Sequence, residues 1–467
     1  MELVILKTDA LFFSLIACLV GYVLYASKKE HLARPWHSVL KRPMAVSAAT
    51  VLAFYFVVAI LDSIHFHPRI EGARSQSLVY SSQITSLLDV VLEPINKNTE
   101  TTYSAPFAIY SYSKESQETE EGQITRTYPR LAFAGNHLSN SSERPRDLVI
   151  RVLNGLSYWL FAMFTLLILA SAIKAFRSNM AYQDTRAFLF SLRFSSRWWA
   201  AILTFGVGCL VVSLVAAIGP YYHILGTDKV GHDVLFQGIK GVRTGLLIGT
   251  LTTLIMLPFA IILGVAAGYF RGWVDDIIQY LYTTLSSIPG VLLIAAAALM
   301  LEVFMTNNAD DFASVTARAD LRLLSLCFIL GVTAWTGLCR YLRAETLKLK
   351  ELSYIEASRA FGVLSWSTIS QHVLPNIMHI VMISIVLDFS GLVLAEAALT
   401  YIDIGVDPSM ESWGNMINSA RLELAREPVV WWSLFAAFLF MFVLVLAANI
   451  FADSVRDAFD PRLRELD

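Results

Sequence analysis

Charge and cysteine are both scarce in this chain. Only 16% of its 467 residues are charged, 36 basic against 38 acidic for a formal net charge of -2. Such a balance gives no field to attract nucleic acid, and the charges that exist are gathered between apolar runs. Nucleic acid is thereby excluded as a partner. The four cysteines, Cys18, Cys209, Cys327 and Cys339, sit in or beside apolar runs without paired spacing, which leaves neither a disulfide framework nor a zinc site. A nucleotide-binding loop is also missing. Gly226 to Asp233 imitates the glycine spacing, but His232 and Asp233 stand where a lysine and a hydroxyl are needed, and an aspartate repels phosphate. No nucleophile arrangement and no cluster of metal ligands is legible, and His65 and His67, beside Pro68 at a membrane edge, read as interfacial polar residues rather than a metal site. The chain is therefore expected to hold no metal or cofactor of its own and to catalyse no reaction.

Apolar residues, by contrast, make up 56% of the sequence, too many for an ordinary soluble domain. Runs long enough to cross a bilayer lie near 8–26, 44–62, 149–173, 197–218, 242–268, 277–303, 321–339, 377–400 and 431–453. The links after the odd-numbered runs carry the basic residues: Lys28, Lys29, Arg34, Lys41 and Arg42; Lys174, Arg177, Arg186 and Arg193; Arg271; Arg340, Arg343, Lys348 and Lys350; Arg456 and Arg462. Those links are predicted to be cytosolic, with the N-terminus outside and the C-terminus inside. Lys28 and Lys29 follow the first run directly and no small-residue cleavage site precedes them, so that run reads as an uncleaved anchor. The resulting plan is two spans over 1–62, an extracytoplasmic segment over 63–148, a third span with a basic linker over 149–196, and a six-span unit over 197–467. Alternating residues at Phe107 to Tyr112, an acidic patch at Glu115 to Glu121 and Asn/Ser punctuation at Asn136 to Ser142 predict a small β-containing unit in the outer segment, with an irregular loop as the alternative.

One cytosolic link is unlike the others. Between 350 and 376 the sequence reads Glu356-Ala357-Ser358-Arg359-Ala360-Phe361-Gly362 and then His372-Val373-Leu374-Pro375. Two short helices would meet at Gly362, Ser365 or Ser367 would cap the second, and Pro375 would open the next span. Helices of about ten residues are marginal alone in water, so the hairpin calls for a partner surface. The alternative is a plain amphipathic connector.

From Arg197 to the end, the order of motifs resembles the permease subunits of binding-protein-dependent ABC importers, in particular the second permease of the dipeptide and oligopeptide group. The hairpin is similar to that family's Glu-Ala-Ala, Gly, Leu-Pro coupling loop, with Glu356, Ala357, Gly362, Leu374 and Pro375 in register and Ser358 in place of the second alanine. Gly226-Thr227-Asp228-Lys229-Val230-Gly231-His232-Asp233-Val234, Ala267 to Asp275, Ser412-Trp413-Gly414-Asn415-Met416 and Arg456 to Arg462 supply four further matches, with His232 where an arginine is usual. The resemblance implies an all-α polytopic membrane protein of the type I ABC importer fold, six core helices preceded by three additional spans, in a bacterial cytoplasmic membrane. It implies a second permease, two ATPase subunits that bind ATP and Mg, and an extracytoplasmic peptide-binding protein as partners, besides the lipid bilayer. On this reading Glu356, Ala357, Ser358, Gly362, Leu374 and Pro375 couple to an ATPase. Gly226, Asp228, Gly231, Asp233, Trp413 and Asn415 become candidate contacts on exposed outer loops. Peptides are the implied cargo, with nickel and antimicrobial peptides as alternatives within the class.

Asp388 and Glu396 lie inside the eighth run, where a carboxylate facing lipid costs about 3 kcal/mol, so each is expected to face protein or water. Eight residues apart on one helix, they are expected on a similar face, either lining a translocation path or accepting hydrogen bonds that lock packing. The same pair underlies the competing reading of a proton-coupled secondary transporter. Pro289 is expected to kink the sixth run, either shaping a cavity of the path or easing packing.

Overall fold

A computed structural model describes residues 2–68, 81, 84–118, 124–178, 196–308 and 314–459. Arg186, Arg193 and the end of the last motif, Asp460 to Arg462, lie outside the described residues. In chain order the helices are α1 (Lys7–Ser27), α2 (Glu30–Val39), α3 (Pro43–Ser63), α4 (Leu87–Val91), α5 (Glu93–Asn96), α6 (Arg144–Ser178), α7 (Ser196–Ile218), α8 (Val234–Phe270), α9 (Trp273–Ser287), α10 (Gly290–Asn307), α11 (Val315–Lys350), α12 (Ser353–Ala360), α13 (Ser365–Thr368), α14 (Leu374–Tyr401), α15 (Trp413–Glu423) and α16 (Trp432–Phe459). Among the described residues nine helical stretches are long and apolar enough to cross a membrane. Helices are the natural outcome, because hydrocarbon offers the backbone no hydrogen-bond partners and only internal pairing satisfies it.

The central pair is α8 and α11. Their contacts climb in step: a Cβ on Gly331 would meet Ile255 and Thr252, one on Gly264 would fall 2.8 Å from the Cys339 carbonyl oxygen, and one on Gly268 would meet Thr346. The two helices therefore run parallel, and the glycines let their backbones approach, as small residues do where lipid supplies no hydrophobic drive to pack. Near the middle and far end of this pair, Met256, Ala260, Val265, Trp335, Leu338 and Leu342 form a buried cluster with Ile355, Val373 and Ile377 of the following segment.

The expected run at 277–303 is two helices rather than one kinked span. Ile288, ahead of Pro289, takes an extended conformation at φ -86°, ψ 131°, so α9 stops at Ser287 and Pro289 stands at the N-cap of α10. A residue before proline is forced out of the helical region, which turns an expected kink into a break.

The N-terminal spans pack on this unit. Helix α3 lies against α7, α8 and α16, and α6 lies along α7. The outer segment is built as expected in kind but not in place. Strands β1 (Glu2–Val4), β2 (His65–His67) and β3 (Thr85–Ser86) form an antiparallel sheet, and β4 (Glu115–Glu118) pairs with β5 (Ile124–Thr127). The alternating stretch at Phe107 to Tyr112 is instead a turn, with Phe107 at φ 58° and a single bridge from Tyr110 to Arg130. Part of the expected acidic patch becomes β4.

Three buried polar connections join extension to core. Asp9 of α1 sits 2.6 Å from Arg243 of α8 and 2.8 Å from His65, and it is almost fully enclosed. Thr8 donates its hydroxyl to Asp320 of α11, whose carboxylate also accepts the Lys7 backbone N–H. Farther out, His223 lies 2.7 Å from Asp233 and 3.6 Å from Glu100, the second contact an ion pair longer than a hydrogen bond. Glu100 also accepts the backbone N–H groups of Ala132, Phe133 and Ala134. Burial works against a charged imidazole, but the two carboxylates outweigh it and push His223 up to about 9.

Two outcomes follow from these connections. Asp9→Ala strands the buried Arg243 charge and is expected to cost about 3–5 kcal/mol. A thiol-reactive dye should register it as a lower unfolding temperature, because Cys327 and Cys339 are buried and become reactive only when the α8–α11 unit opens. A raised histidine pKa stabilises fully below its unfolded value near 6.5 and loses that contribution as pH climbs through about 9. Melting of the detergent-solubilised chain is therefore expected to fall between pH 7 and pH 9 by more than it does in His223→Gln, with about 3 kcal/mol at stake.

Candidate coupling hairpin

The hairpin hangs from the far end of α11. Helix α12 ends in a Schellman motif: the Gly362 N–H donates to the Arg359 carbonyl at 3.0 Å and the Val363 N–H to the Ser358 carbonyl at 3.1 Å, with Gly362 at φ 73°. A side chain there would find open space but a strained backbone, so conformation rather than crowding selects glycine. The expected serine cap is absent. Leu364 occupies the N-cap of α13 without a side-chain bond, and α13 runs through a π-turn over Ile369–Val373 into α14, where Pro375 stands in the first turn. The second arm is thus an extension of the membrane helix, not a separate ten-residue helix.

Packing fixes the angle between the arms. Ile355 is fully buried against Val373 and Ile377, and Ser358 meets Thr368 across the hairpin at 3.1 Å. The root is braced to the turn after α8: Arg343 makes a bidentate pair with Asp275 at 2.6 and 2.7 Å, Lys350 donates to the Tyr269 carbonyl, and Arg271 pairs with Glu351 at 2.9 Å. The guanidinium of Arg343 holds the Asp275 carboxyl below the usual carboxylate range.

What the rigid frame presents is apolar. Phe361, Leu364 and Trp366 are 87%, 80% and 78% exposed, and Val363 is exposed with them. Glu356 and Ala357 share the exposed side, Ser358 and Leu374 are half-buried, and Pro375 is exposed. Sequence reasoning singled out the family motif and passed over Phe361, Leu364 and Trp366. The legible signal was a run of large apolar residues flanking a glycine within an otherwise polar link.

The outer-loop candidates divide differently. Asp233 is buried as the N-cap of α8, accepting from Leu235 and Phe236. Trp413 is 1% exposed, with its indole N–H on the Gly238 carbonyl and its ring against Gly241 and Gly245. Gly226 and Gly231 are buried against Ser104, Trp432 and Glu100. These four were expected on exposed loops; they are packing residues, Gly226 and Gly231 enclosed by the outer segment, Trp413 by α8 and Asp233 beside His223. Asp228 and Asn415 remain half-buried at the edge, Asn415 donating to the Asp407 and Met410 carbonyls.

The family model for the binding-protein-dependent transport system inner membrane component matches residues 260–465, which include the entire hairpin. Over 242 residues the chain is 31% identical to the glutathione transport system permease protein GsiD of Pectobacterium atrosepticum, covering 52% of this chain and 73% of that one. It is also 31% identical over 244 residues to the oligopeptide transport system permease protein OppC of Mycobacterium tuberculosis, with 52% and 77% covered. The chain belongs to this family. A solved inward-facing structure of the MetNI methionine ABC transporter aligns with 48% of this chain at 17% identity and a TM-score of 0.34.

As an ABC importer permease it is a multi-pass inner membrane protein that transports rather than catalyses. Its intramembrane carboxylates do not share one environment. Glu396 is 1% exposed, accepting the Thr400 hydroxyl at 2.9 Å beside Gly414. That bond stays within α14, whose Glu396 and Thr400 lie against Gly414 of α15, while Asp388 is half-buried. The expected like placement of the pair is not met, because the eight-residue spacing rotates the two positions apart by about 80° at 3.6 residues per turn.

Asp275→Asn removes one charge from the bidentate brace and is expected to loosen the hairpin by about 1–3 kcal/mol. Limited proteolysis of membranes should then cleave between Glu351 and Leu364 several-fold faster than in the parent, while cleavage elsewhere stays unchanged.

Proposed function

We propose that this chain is one permease of a heteromeric, ATP-driven peptide importer, and that the hairpin is its coupling contact with a separate ATPase. The observation that carries the reading is the apolar tip, Phe361, Leu364 and Trp366, held out on a braced frame in a chain of this family. Exposed aromatic and aliphatic side chains in one patch mark a protein interaction site. Glu356 lies alongside them to meet polar or basic groups of the ATPase groove. ATP and Mg belong to two such ATPase subunits, a second permease completes the pathway, and an extracytoplasmic binding protein delivers cargo.

The relatives named for glutathione and oligopeptide transport support a peptide cargo. The basic links support a cytosolic hairpin with the N-terminus outside and the C-terminus inside. Closure of the ATPases on ATP would pull α12 and α13, and the continuous α13–α14 rod would carry the movement into the membrane. A proton-coupled carrier using Asp388 and Glu396 finds no supporting observation beyond the two carboxylates themselves.

Trp366→Asp and Gly362→Pro are each expected to lower co-purification of the ATPase subunits at least tenfold and to abolish peptide-stimulated hydrolysis, with normal membrane insertion. Full recovery of the ATPases in both variants would refute the docking assignment.

A further inference from the structure

Between the outer ends of the helices lies a cavity of about 280 Å³ that the transport reading leaves unassigned. Three segments distant in sequence build it: Tyr103 from the outer segment, Asp228, Lys229 and Gln237 around the start of α8, and Glu411, Ser419 and Glu423 from α15 and the loop before it. Tyr103 is 4% exposed, and its hydroxyl makes no aligned hydrogen bond within the protein, although the Glu423 carboxylate stands beside it and, after burial, pushes its pKa up. A buried hydroxyl left so costs about 1–3 kcal/mol, which a bound group would relieve. Among the described residues no donor reaches the Glu411 carboxylate, and burial pushes that carboxyl above its usual range.

The remaining charges narrow the ligand. Asp228 is fixed by Gln237 at 2.9 Å and by the backbone N–H groups of Val230 and His232. Arg426 stands 3.2 Å from Glu423 in an ion pair without hydrogen-bond alignment, and Lys229 is exposed at the mouth. Three carboxylates thus face Arg426 and Lys229, and the nearby Lys240, which also acts on Glu411, is already paired with Asp62 and Asp89. The described residues nowhere bring three His, Cys, Asp or Glu side chains close enough to hold a metal ion, so these carboxylates are spread around the space. That spacing suits a cation carried on a carbon chain. Tyr103 can donate to a carbonyl beside it.

We propose that this cavity is a binding subsite for an organic ammonium group of the cargo, a peptide amino terminus or a lysine side chain, and that it favours cationic over neutral peptides. The proposal rests on the peptide-importer reading and names a substrate class within it. It also gives the N-terminal extension a part in selectivity, since Tyr103 comes from the extension.

The test is equilibrium dialysis of radiolabelled trilysine against the purified full-length chain in lipid nanodiscs, beside N-acetyl-trialanine amide, which carries no charge. Saturable binding of trilysine at least tenfold tighter than of the blocked peptide is expected. Glu411→Gln, and Ser419→Lys at an exposed lining position, should each weaken trilysine tenfold or more, and Tyr103→Phe several-fold, with binding of the blocked peptide unmoved. Equal affinity for the two peptides, no saturable binding because the cavity holds water only, or unchanged trilysine affinity in both Glu411→Gln and Ser419→Lys would overturn the proposal. ATP-driven uptake of trialanine by the assembled importer is scored separately: its failure would sink the transport reading and leave the binding result standing.

Discussion

The parallel contact between α8 and α11 is the interaction on which the rest of the molecule depends. At Gly264, Gly268 and Gly331 the two backbones approach so closely that no side chain fits between them. In a bilayer, where apolar surface gains little by leaving lipid, that close fit is what holds two helices in one register. Both ends of the pair are then used. At the outer end Arg243 of α8 and Asp320 of α11 receive α1 through Asp9 and Thr8. At the other end the turn after α8 and the last turns of α11 are tied through Asp275, Arg343 and Lys350, and the hairpin begins.

On the coupling role proposed above, this arrangement lets motion be carried by a rigid frame. The hairpin is fixed at its root by charge-assisted bonds and at its waist by Ile355 and the Ser358–Thr368 contact, so its apolar tip is presented without being free to fold back. Its second arm is continuous with α14, which packs on α16 and sets Glu396 and Thr400 against Gly414 of α15. A displacement of the tip therefore has a direct mechanical route to the far side of the membrane.

The N-terminal extension is more than an appended anchor. Its outer segment covers Gly226 and Gly231, engages His223 through Glu100, and places Tyr103 against the outer cavity. The connections are polar and buried, where a broken partner is costly, so the extension and the transport unit are energetically one body at the end of the bundle opposite the hairpin.

The nine apolar stretches, the family motifs and the glycine at the hairpin turn could be read from residues alone, because span length, backbone conformation and short-range spacing are local properties. Other features were settled only by the fold. Whether Gly231 and Trp413 faced water or protein depended on segments more than a hundred residues away, and the strand at Glu115–Glu118 was chosen by its partner at Ile124–Thr127 rather than by alternation. The gathering of Tyr103, Glu411 and Glu423 into one cavity had no sequence signature at all. The physical reason is common to these cases. Local chemistry sets which element forms, while burial and the pairing of charges are decided by whichever remote surface packs against it.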